Sequence, residues 1–202
     1  MEYAAASIEQ PVGWLQHDTR DLTRDDEAEL VERAKRDPLQ FAPLYDRYFL
    51  QIYRFAYSRV GQQGAEEDVT SEVFMKALAA MPRYEYRGRP FVAWLYRIAV
   101  NTITDRGRML HPSQPIEEVC DLSVGSSTEE LALRRDEIHR IWTLVGGLPR
   151  DQRTAFVLRF LQDMRVIDIA AAMGKSNGAV KLLIHRAVGH LRAEAQALRP
   201  AV

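Results

Sequence analysis

The sequence predicts an all-α fold made of two helical domains joined by a flexible linker. Apolar residues recur at spacings of three and four along most of the chain, and no segment keeps the period-two alternation of a strand. Residues 109–128 combine prolines and a glycine with a run of Ser and Thr, a composition with little to bury. With 202 residues, the chain is long enough for two small domains. The predicted divisions are an N-terminal arm at 1–24, a domain at 25–108, the linker at 109–128 and a second domain at 129–202.

Four helices are predicted in the first domain. Each carries an apolar stripe, and the first three meet a stop signal: Asp37-Pro38 ends the first helix, Gly61 to Gly64 the second, and Pro82 the third. Acidic residues at the start of the third helix suit the positive end of its dipole. The predicted helices span 26–36, 41–60, 66–81 and 91–108.

Four more helices are predicted in the second domain. One runs from about 128 to 145, and the next begins at Leu148-Pro149. This second helix carries Ala155, Phe156, Leu158 and either Phe160 or Leu161 as its apolar residues. The last two span 166–173 and 177–197.

The last two helices have the pattern of a helix-turn-helix. Gly174 supplies the left-handed conformation that ends the first helix, and Ser176 can cap the second. The inner face of the second helix consists of Val180, Ile184, Ala187 and Leu191. The outer face is polar and basic, as in a helix that enters the major groove of DNA. The alternative is an ordinary helical hairpin with a solvated basic face. The outer residues are Asn177, Gly178, Lys181, His185 and Arg186.

A second candidate nucleic-acid surface is the loop that precedes the fourth helix. Tyr84, Tyr86, Arg87 and Arg89 alternate aromatic rings with cations, and this combination can hold unstacked bases and their phosphates. Phe91 and Trp94 continue the pattern, but they share a stripe with the core positions of the fourth helix, and we assign them to the core.

The net charge of −1 is a cancellation between segments. Residues 1–82 carry a net −6 and residues 109–137 a net −5, whereas residues 83–108 carry +4 and residues 138–202 carry +6. Two basic blocks therefore surround an acidic spacer. Local basic patches attract phosphate even when the total charge is near zero.

The sequence gives no support for an enzyme or for a bound metal or cofactor. The five histidines form no HExxH or similar pair, Cys120 is the only cysteine, and no glycine-rich phosphate loop is present. Neither a signal peptide nor a membrane span is expected. We therefore expect a cytoplasmic protein without membrane contact of its own.

Two sets of motifs resemble an extracytoplasmic-function (ECF) sigma factor of bacterial RNA polymerase, a group within the sigma-70 family. Residues 67–77 (EDVTSEVFMKA) and 87–101 (RGRPFVAWLYRIAVN) resemble sigma region 2. Residues 148–153 (LPRDQR), 169–174 (IAAAMG) and 178–187 resemble region 4. The resemblance covers about residues 26–108 and 130–195, with both sets in the family's order.

The resemblance implies a function in transcription initiation and a role for each segment. Region 2 would bind the β′ clamp helices of core polymerase and capture the promoter −10 element as it melts. Region 4 would recognise the −35 element as duplex and contact the β flap. An anti-sigma factor is a further expected partner.

The implied polymerase-binding residues are Asp68, Ser71, Glu72, Phe74 and Met75. The implied −10 residues are Tyr84, Tyr86, Arg87, Arg89, Arg97, Asn101 and Arg108. The implied −35 residues are Lys175, Ser176, Asn177, Gly178, Lys181, Leu182, His185 and Arg186.

The chain departs from the family pattern at two places. Ser71 stands where the family usually has Gln, and Leu182-Leu183 stands where Ser-Arg is common. The promoter sequence therefore does not carry over from the family. The competing hypothesis is a helix-turn-helix repressor or response-regulator output domain, which would leave the loop of tyrosines and arginines without a role.

Overall fold

A computed structural model of the chain describes residues 24–60, 64–86, 88–107 and 142–197. All regular structure within these ranges is helical, which confirms the predicted fold class. The first helical unit contains α1 (Arg24–Arg36), α2 (Ala42–Val60), α3 (Ala65–Ala80) and α4 (Phe91–Gly107). The second helical unit contains helical residues 142–147, α5 (Arg150–Phe156), α6 (Val166–Met173) and α7 (Asn177–Ala197).

The helix bounds follow the predicted ones closely, with two additions at prolines. Pro38–Phe41 and Met81–Arg83 form short 3₁₀ turns, so each proline begins a tight turn beyond the helix that it ends. The predicted arm, the linker and most of the helix predicted at 128–145 lie outside the described residues.

The core of the first helical unit lies between α2, α3 and α4. Leu44, Ile52 and Phe55 of α2 and Val69 and Val73 of α3 are completely buried. Burying one such side chain contributes about 1.5–3 kcal/mol. This core holds α3 and α4 side by side, so their outward faces belong to one rigid surface.

The second helical unit contains a π-helical turn at Val157–Leu161 that directly continues α5. The extra residue in this turn rotates the chain away from the apolar stripe of α5. As a result, Phe160 is 54% exposed and Leu161 is 43% exposed, so the expectation that one of them faces inward is wrong. The turn ends at Gln162, whose backbone N–H donates to the carbonyl of Val157.

The two helical units pack against each other. Helix α6 lies along α4, and the buried residues of both units form one continuous apolar cluster. Tyr96 of α4 is fully buried, and its hydroxyl donates to Oε1 of Gln162 at 2.7 Å. Arg153 of α5 donates to the carbonyl of Ser58 at the end of α2.

Among the helices of the described ranges, none combines the length and the apolar character that a bilayer crossing requires.

Candidate nucleic-acid interface

The first candidate surface combines the loop before α4 with the exposed face of that helix. Tyr86 at the loop tip is 58% exposed, and Gly88 takes a left-handed conformation with φ of 70° that a side chain would strain. Arg97 and Asn101 are both exposed and lie one helical turn apart on α4. These side chains form a cationic and aromatic surface of the kind that binds single-stranded nucleic acid.

Tyr84 is buried, although its position in the loop predicts an exposed side chain. It is only 8% exposed, and its ring lies 4.8 Å from that of Trp94 and 5.3 Å from that of Phe91, measured between centroids. Burial, followed by the charge of Glu27, raises the pKa of the Tyr84 hydroxyl to about 12. Tyr84 therefore supports the loop from beneath. Arg87 and Arg108, also predicted here, lie outside the described residues.

The helix-turn-helix has the local geometry that its sequence predicts. Gly174 ends α6 with φ of 63° and ψ of 33°, and the N–H of Lys175 donates to the carbonyl of Ala170 at 2.9 Å. Oγ of Ser176 accepts from the N–H of Ala179 at 3.2 Å, which caps α7. Both bonds fix the angle at which α7 leaves the turn.

The predicted contact residues lie on the outer face of α7. The inner positions Val180 and Ala187 are fully buried, and Leu182 is 47% exposed. Lys175 pairs with Asp151 of α5, with Nζ 2.9 Å from Oδ2. The exposed predicted residues are Lys175, Ser176, Asn177, Gly178, Lys181, Leu182, His185 and Arg186.

The residues implied to bind polymerase lie on α3, and they divide into exposed and internal groups. Asp68, Ser71 and Met75 are exposed. Phe74 is 4% exposed, with its ring centroid 4.7 Å from that of Tyr45 and 6.4 Å from that of Phe49. Phe74 therefore stabilises the packing of α3 on α2, and its exposed neighbours supply the outer surface.

Glu72 is the charged centre of the α3 surface. Its carboxylate accepts from Lys76 at 2.6 Å and from Nε of Arg106 on α4 at 2.7 Å. The hydrogen bond from Lys76 and then that from Arg106 hold the pKa of Glu72 below its ordinary value. The ion pairs thus connect the predicted polymerase surface on α3 to the helix that carries Arg97 and Asn101.

An apolar patch beside this surface was not identified from the sequence. Tyr45 is 39% exposed, Met75 64% and Leu78 38%. Tyr45 also begins a row of rings along α2 whose neighbouring centroids lie 5.2 to 6.3 Å apart, continuing through Phe49, Tyr53 and Tyr57. The spacing of four residues is visible in the sequence, but it fits a core stripe equally well.

Within the described residues, no group of three or more His, Cys, Asp or Glu side chains is arranged to hold a metal ion.

Comparisons with known proteins match both halves of the chain to sigma-factor models. Residues 44–110 match the family described as sigma-70 region 2, and residues 138–191 match sigma-70, region 4. The two matches cover α2–α4 and α5–α7, which carry the two candidate DNA surfaces.

Curated relatives agree with these matches. The ECF RNA polymerase sigma factor BldN of Streptomyces coelicolor is 38% identical over 164 residues, which cover 79% of this chain and 62% of BldN. The chain therefore spans less than two thirds of that relative. The ECF RNA polymerase sigma factor SigD of Mycobacterium tuberculosis is 34% identical over 152 residues, which cover 71% of each protein.

The fold is also found in a solved structure, the sigma factor RpoE of Bartonella quintana in complex with the anti-sigma factor NepR. It superposes with a TM-score of 0.60 at 21% identity, covering 79% of this chain and 98% of that chain. At this identity the likeness concerns the fold.

The chain belongs to the ECF RNA polymerase sigma factors of the sigma-70 family. Members of this family are transcription initiation factors and not enzymes.

Proposed function

We propose that α3 contributes the surface that binds core polymerase, through the clamp helices of its β′ subunit. The exposed carboxylate of Asp68, the Glu72 ion pairs and the exposed Met75 lie together on this helix. Tyr45 and Leu78 extend the surface with apolar area. A polar helix face beside a compact apolar patch is the usual composition of a protein–protein contact.

The loop before α4 and the outer face of α4 capture the −10 element as it melts. Tyr86 offers a ring for stacking on an unpaired base, while Arg89 and Arg97 neutralise nearby phosphates. Tyr84 keeps the loop in place from below through its contacts with Phe91 and Trp94.

Helix α7 recognises the −35 element in the major groove. Lys181, His185 and Arg186 lie on its exposed face and can contact phosphates or guanine edges. Leu182 is exposed where the family commonly has Ser, so it is placed to contact a thymine methyl group. Region 4 would contact the β flap of the polymerase while α7 is on DNA.

The observation that supports this function is the presence, in one chain, of two surfaces of different composition. An exposed loop ring, Tyr86, beside the exposed guanidinium group of Arg97 suits melted DNA, and a capped basic helix suits duplex. A repressor needs only the second surface.

Transcription in vitro tests the proposal directly. Core polymerase is mixed with the chain over a pool of promoter fragments, and the transcripts are sequenced to find shared start sites. We expect start sites that share −35 and −10 sequences. The absence of specific initiation from every fragment would overturn the proposed function.

Binding to duplex by the chain alone separates the sigma factor from the repressor. We expect weak binding to the selected promoters without core polymerase and specific binding with it, measured by gel shift at fixed salt. Tight, specific binding by the free chain would favour the repressor.

An anti-sigma factor is the further partner that we propose. The solved relative RpoE is bound to the anti-sigma factor NepR, and this chain exposes an apolar patch beside its proposed polymerase surface on α3. Cross-linking in native cells followed by mass spectrometry should recover a second, non-polymerase protein; recovery of polymerase alone would contradict this partner. We propose a cytoplasmic location for the chain, where it would meet core polymerase.

A further inference from the structure

Three arginines lie together where the end of α2 meets the start of α5. Arg153 of α5 donates through Nη2 to the carbonyl of Ser58, the residue that precedes Arg59 in α2. Arg150 lies one turn before Arg153, on the same face of α5. Arg153 and Arg150 are also the cations that act most strongly on Arg59. We call Arg59, Arg150 and Arg153 the arginine cluster; it takes one residue from the first helical unit and two from the second.

The arginine cluster is buried on one side and open on the other. Ser58 beneath it is 1% exposed, Arg59 and Arg153 are partly buried, and Arg150 is exposed. Burial, followed by the charges of Arg153 and Arg150, lowers the pKa of Arg59 to about 9. Like charges held together away from water are unfavourable unless an opposite charge joins them.

The acid nearest to the arginine cluster does not balance its charge. Among the described residues, Asp151 is the one acid that offsets the charge on Arg59. The carboxylate of Asp151 is itself paired with Lys175, whose Nζ lies 2.9 Å from Oδ2. Four cations and one carboxylate therefore leave this region with a net charge of +3.

The arginine cluster also contains a donor without an acceptor. Nε of Arg153 is buried and has no hydrogen-bond partner among the residues that the structure describes. Buried polar groups of this kind are rare in native proteins, and a bound water or ion is a common reason for them. Here the donor belongs to the same guanidinium group that reaches across to Ser58.

A phosphate group would satisfy both the charge and the donor. Water could accept from Nε of Arg153, but it would leave three like charges beside one another. A carboxylate offers two oxygens, whereas phosphate offers four and can accept from three guanidinium groups at once. Guanidinium groups also match phosphate geometry with paired hydrogen bonds.

We propose that the arginine cluster is a binding site for a phosphate group, supplied by inorganic phosphate or by a small phosphate monoester. Arg59 and Arg153 hold the anion on the buried side, and Arg150 contacts it from the exposed side. Because the arginines come from both helical units, the bound anion joins α2 to α5. None of the three belongs to the polymerase or DNA contacts proposed above, so the site goes beyond the proposed function and is tested without polymerase.

Thermal unfolding of the full chain tests the site, with phosphate replacing chloride at constant ionic strength. We expect the melting temperature to rise saturably by about 3 °C, because a ligand at about ten times its Kd stabilises the folded state that binds it. Arg59→Gln and Arg150→Gln should each abolish most of this rise. The matched control is Arg54→Gln, an exposed arginine of α2 that should keep the full rise. No saturable rise in the parent, or an equal rise in all variants, would overturn the site.

The stability of the same variants without phosphate separates binding from a structural role. Each substitution removes one of the crowded charges, so Arg59→Gln and Arg150→Gln should melt at the parent temperature or above it. If the arginines only stabilise the fold, both variants should melt lower at every phosphate concentration, and that result would overturn the proposal. Arg153 is left unchanged because it also bonds to Ser58.

Isothermal titration calorimetry measures binding directly, with inorganic phosphate and glycerol phosphate as probes. We expect one bound phosphate per chain and a loss of affinity of at least tenfold in Arg59→Gln and Arg150→Gln, because each removes a charge-assisted bond. Binding of both probes would support a site that admits a monoester, and binding of inorganic phosphate alone would support inorganic phosphate as the ligand. No binding of either probe would overturn the site.

Two further measurements test the kind of phosphate and the role of both units. Phosphorus NMR of the bound anion is followed while duplex DNA of unrelated sequence is added, and we expect the phosphate to stay bound. Its displacement would assign the arginine cluster to the DNA backbone and overturn a small-ligand site. In hydrogen exchange with mass spectrometry, phosphate should protect peptides from the end of α2 and from α5 together. Protection confined to one of the two helices would overturn a site shared between the units.

Discussion

Glu27 of α1 caps the first residue of α4, because its Oε1 accepts from the backbone N–H of Phe91 at 2.9 Å. The other carboxylate oxygen accepts from the hydroxyl of Tyr48 on α2. One side chain thus satisfies an otherwise unpaired N–H at the start of the helix that carries Arg97 and Asn101. The orientation of the proposed −10 surface depends on a residue 64 positions earlier in the chain.

Removing this cap should destabilise the first helical unit. We expect Glu27→Ala to lower the free energy of unfolding by about 2–3 kcal/mol, because two bonds to a charged group are lost and the Phe91 N–H is left unpaired. Urea denaturation followed by circular dichroism measures the change. The matched control is Glu29→Ala, an exposed residue 3.5 Å from Arg33, which should change stability by less than about 0.5 kcal/mol. Equal losses in the two variants would contradict the role of Glu27.

The contrast between local and distant features explains what the sequence could predict. The turn at Gly174, the cap at Ser176 and the exposed face of α7 all depend on residues within one or two helical turns, and all were predictable. The bonds from Glu27 to Phe91 and from Tyr96 to Gln162 join residues more than 60 positions apart, and no local pattern indicates them. Tyr84 shows the same limit, since its sequence neighbours suggest a surface loop while its burial depends on α4.

Two glycines of the helix-turn-helix should respond to alanine substitution with stability changes of opposite sign. Gly174 has φ of 63°, and a Cβ there meets no atom within 4 Å, so Gly174→Ala should cost about 1 kcal/mol through backbone strain alone. Gly189 is exposed in the interior of α7, and a Cβ there also meets no atom within 4 Å. Gly189→Ala should therefore stabilise the helix by about 0.5–1 kcal/mol. Thermal unfolding of both variants measures the pair. A shift of the same sign in both would contradict this account.

Alanine substitutions at the two loop tyrosines should have different effects, one on the open promoter complex and the other on folding stability. Tyr86→Ala should leave the unfolding free energy unchanged but reduce the stability of the open promoter complex by about tenfold, because a stacking ring is lost. Tyr84→Ala should instead cost about 3 kcal/mol of folding stability, since it removes a ring packed on Phe91 and Trp94. Open complexes formed with core polymerase are measured by the lifetime of heparin-resistant binding, and folding by urea titration. A destabilised Tyr86→Ala chain would contradict the exposed position of this ring.

The ion pairs of Glu72 predict a contribution to stability that depends on pH. Since the pKa of Glu72 is lowered in the folded state, its contribution is present above the unfolded value of about 4.3 and is lost as pH falls through the lower folded value. We expect Glu72→Gln to be less stable than the parent by about 1 kcal/mol at pH 7, with the difference vanishing toward pH 3. Urea midpoints across this range test it. The control is Glu29→Gln, whose ion pair with Arg33 is more exposed, and it should show less than half the effect. A stability difference between Glu72→Gln and the parent that persists at pH 3 would argue against the ion pairs as its cause.

We expect the positive charge of Lys181 to contribute to duplex binding, and the salt dependence of the affinity measures this contribution. It is exposed on the outer face of α7, one turn after Asn177. If it contacts a phosphate, Lys181→Ala should weaken binding of the holoenzyme to promoters of any −35 sequence and reduce the slope of log affinity against log salt by about one. Filter binding at four salt concentrations measures the slope. Lys35→Ala, which removes a lysine that pairs with Glu32 on α1, should leave the slope unchanged. A loss confined to one −35 sequence with an unchanged slope would instead assign Lys181 to a base edge, because base contacts specify sequence while phosphate contacts release counterions.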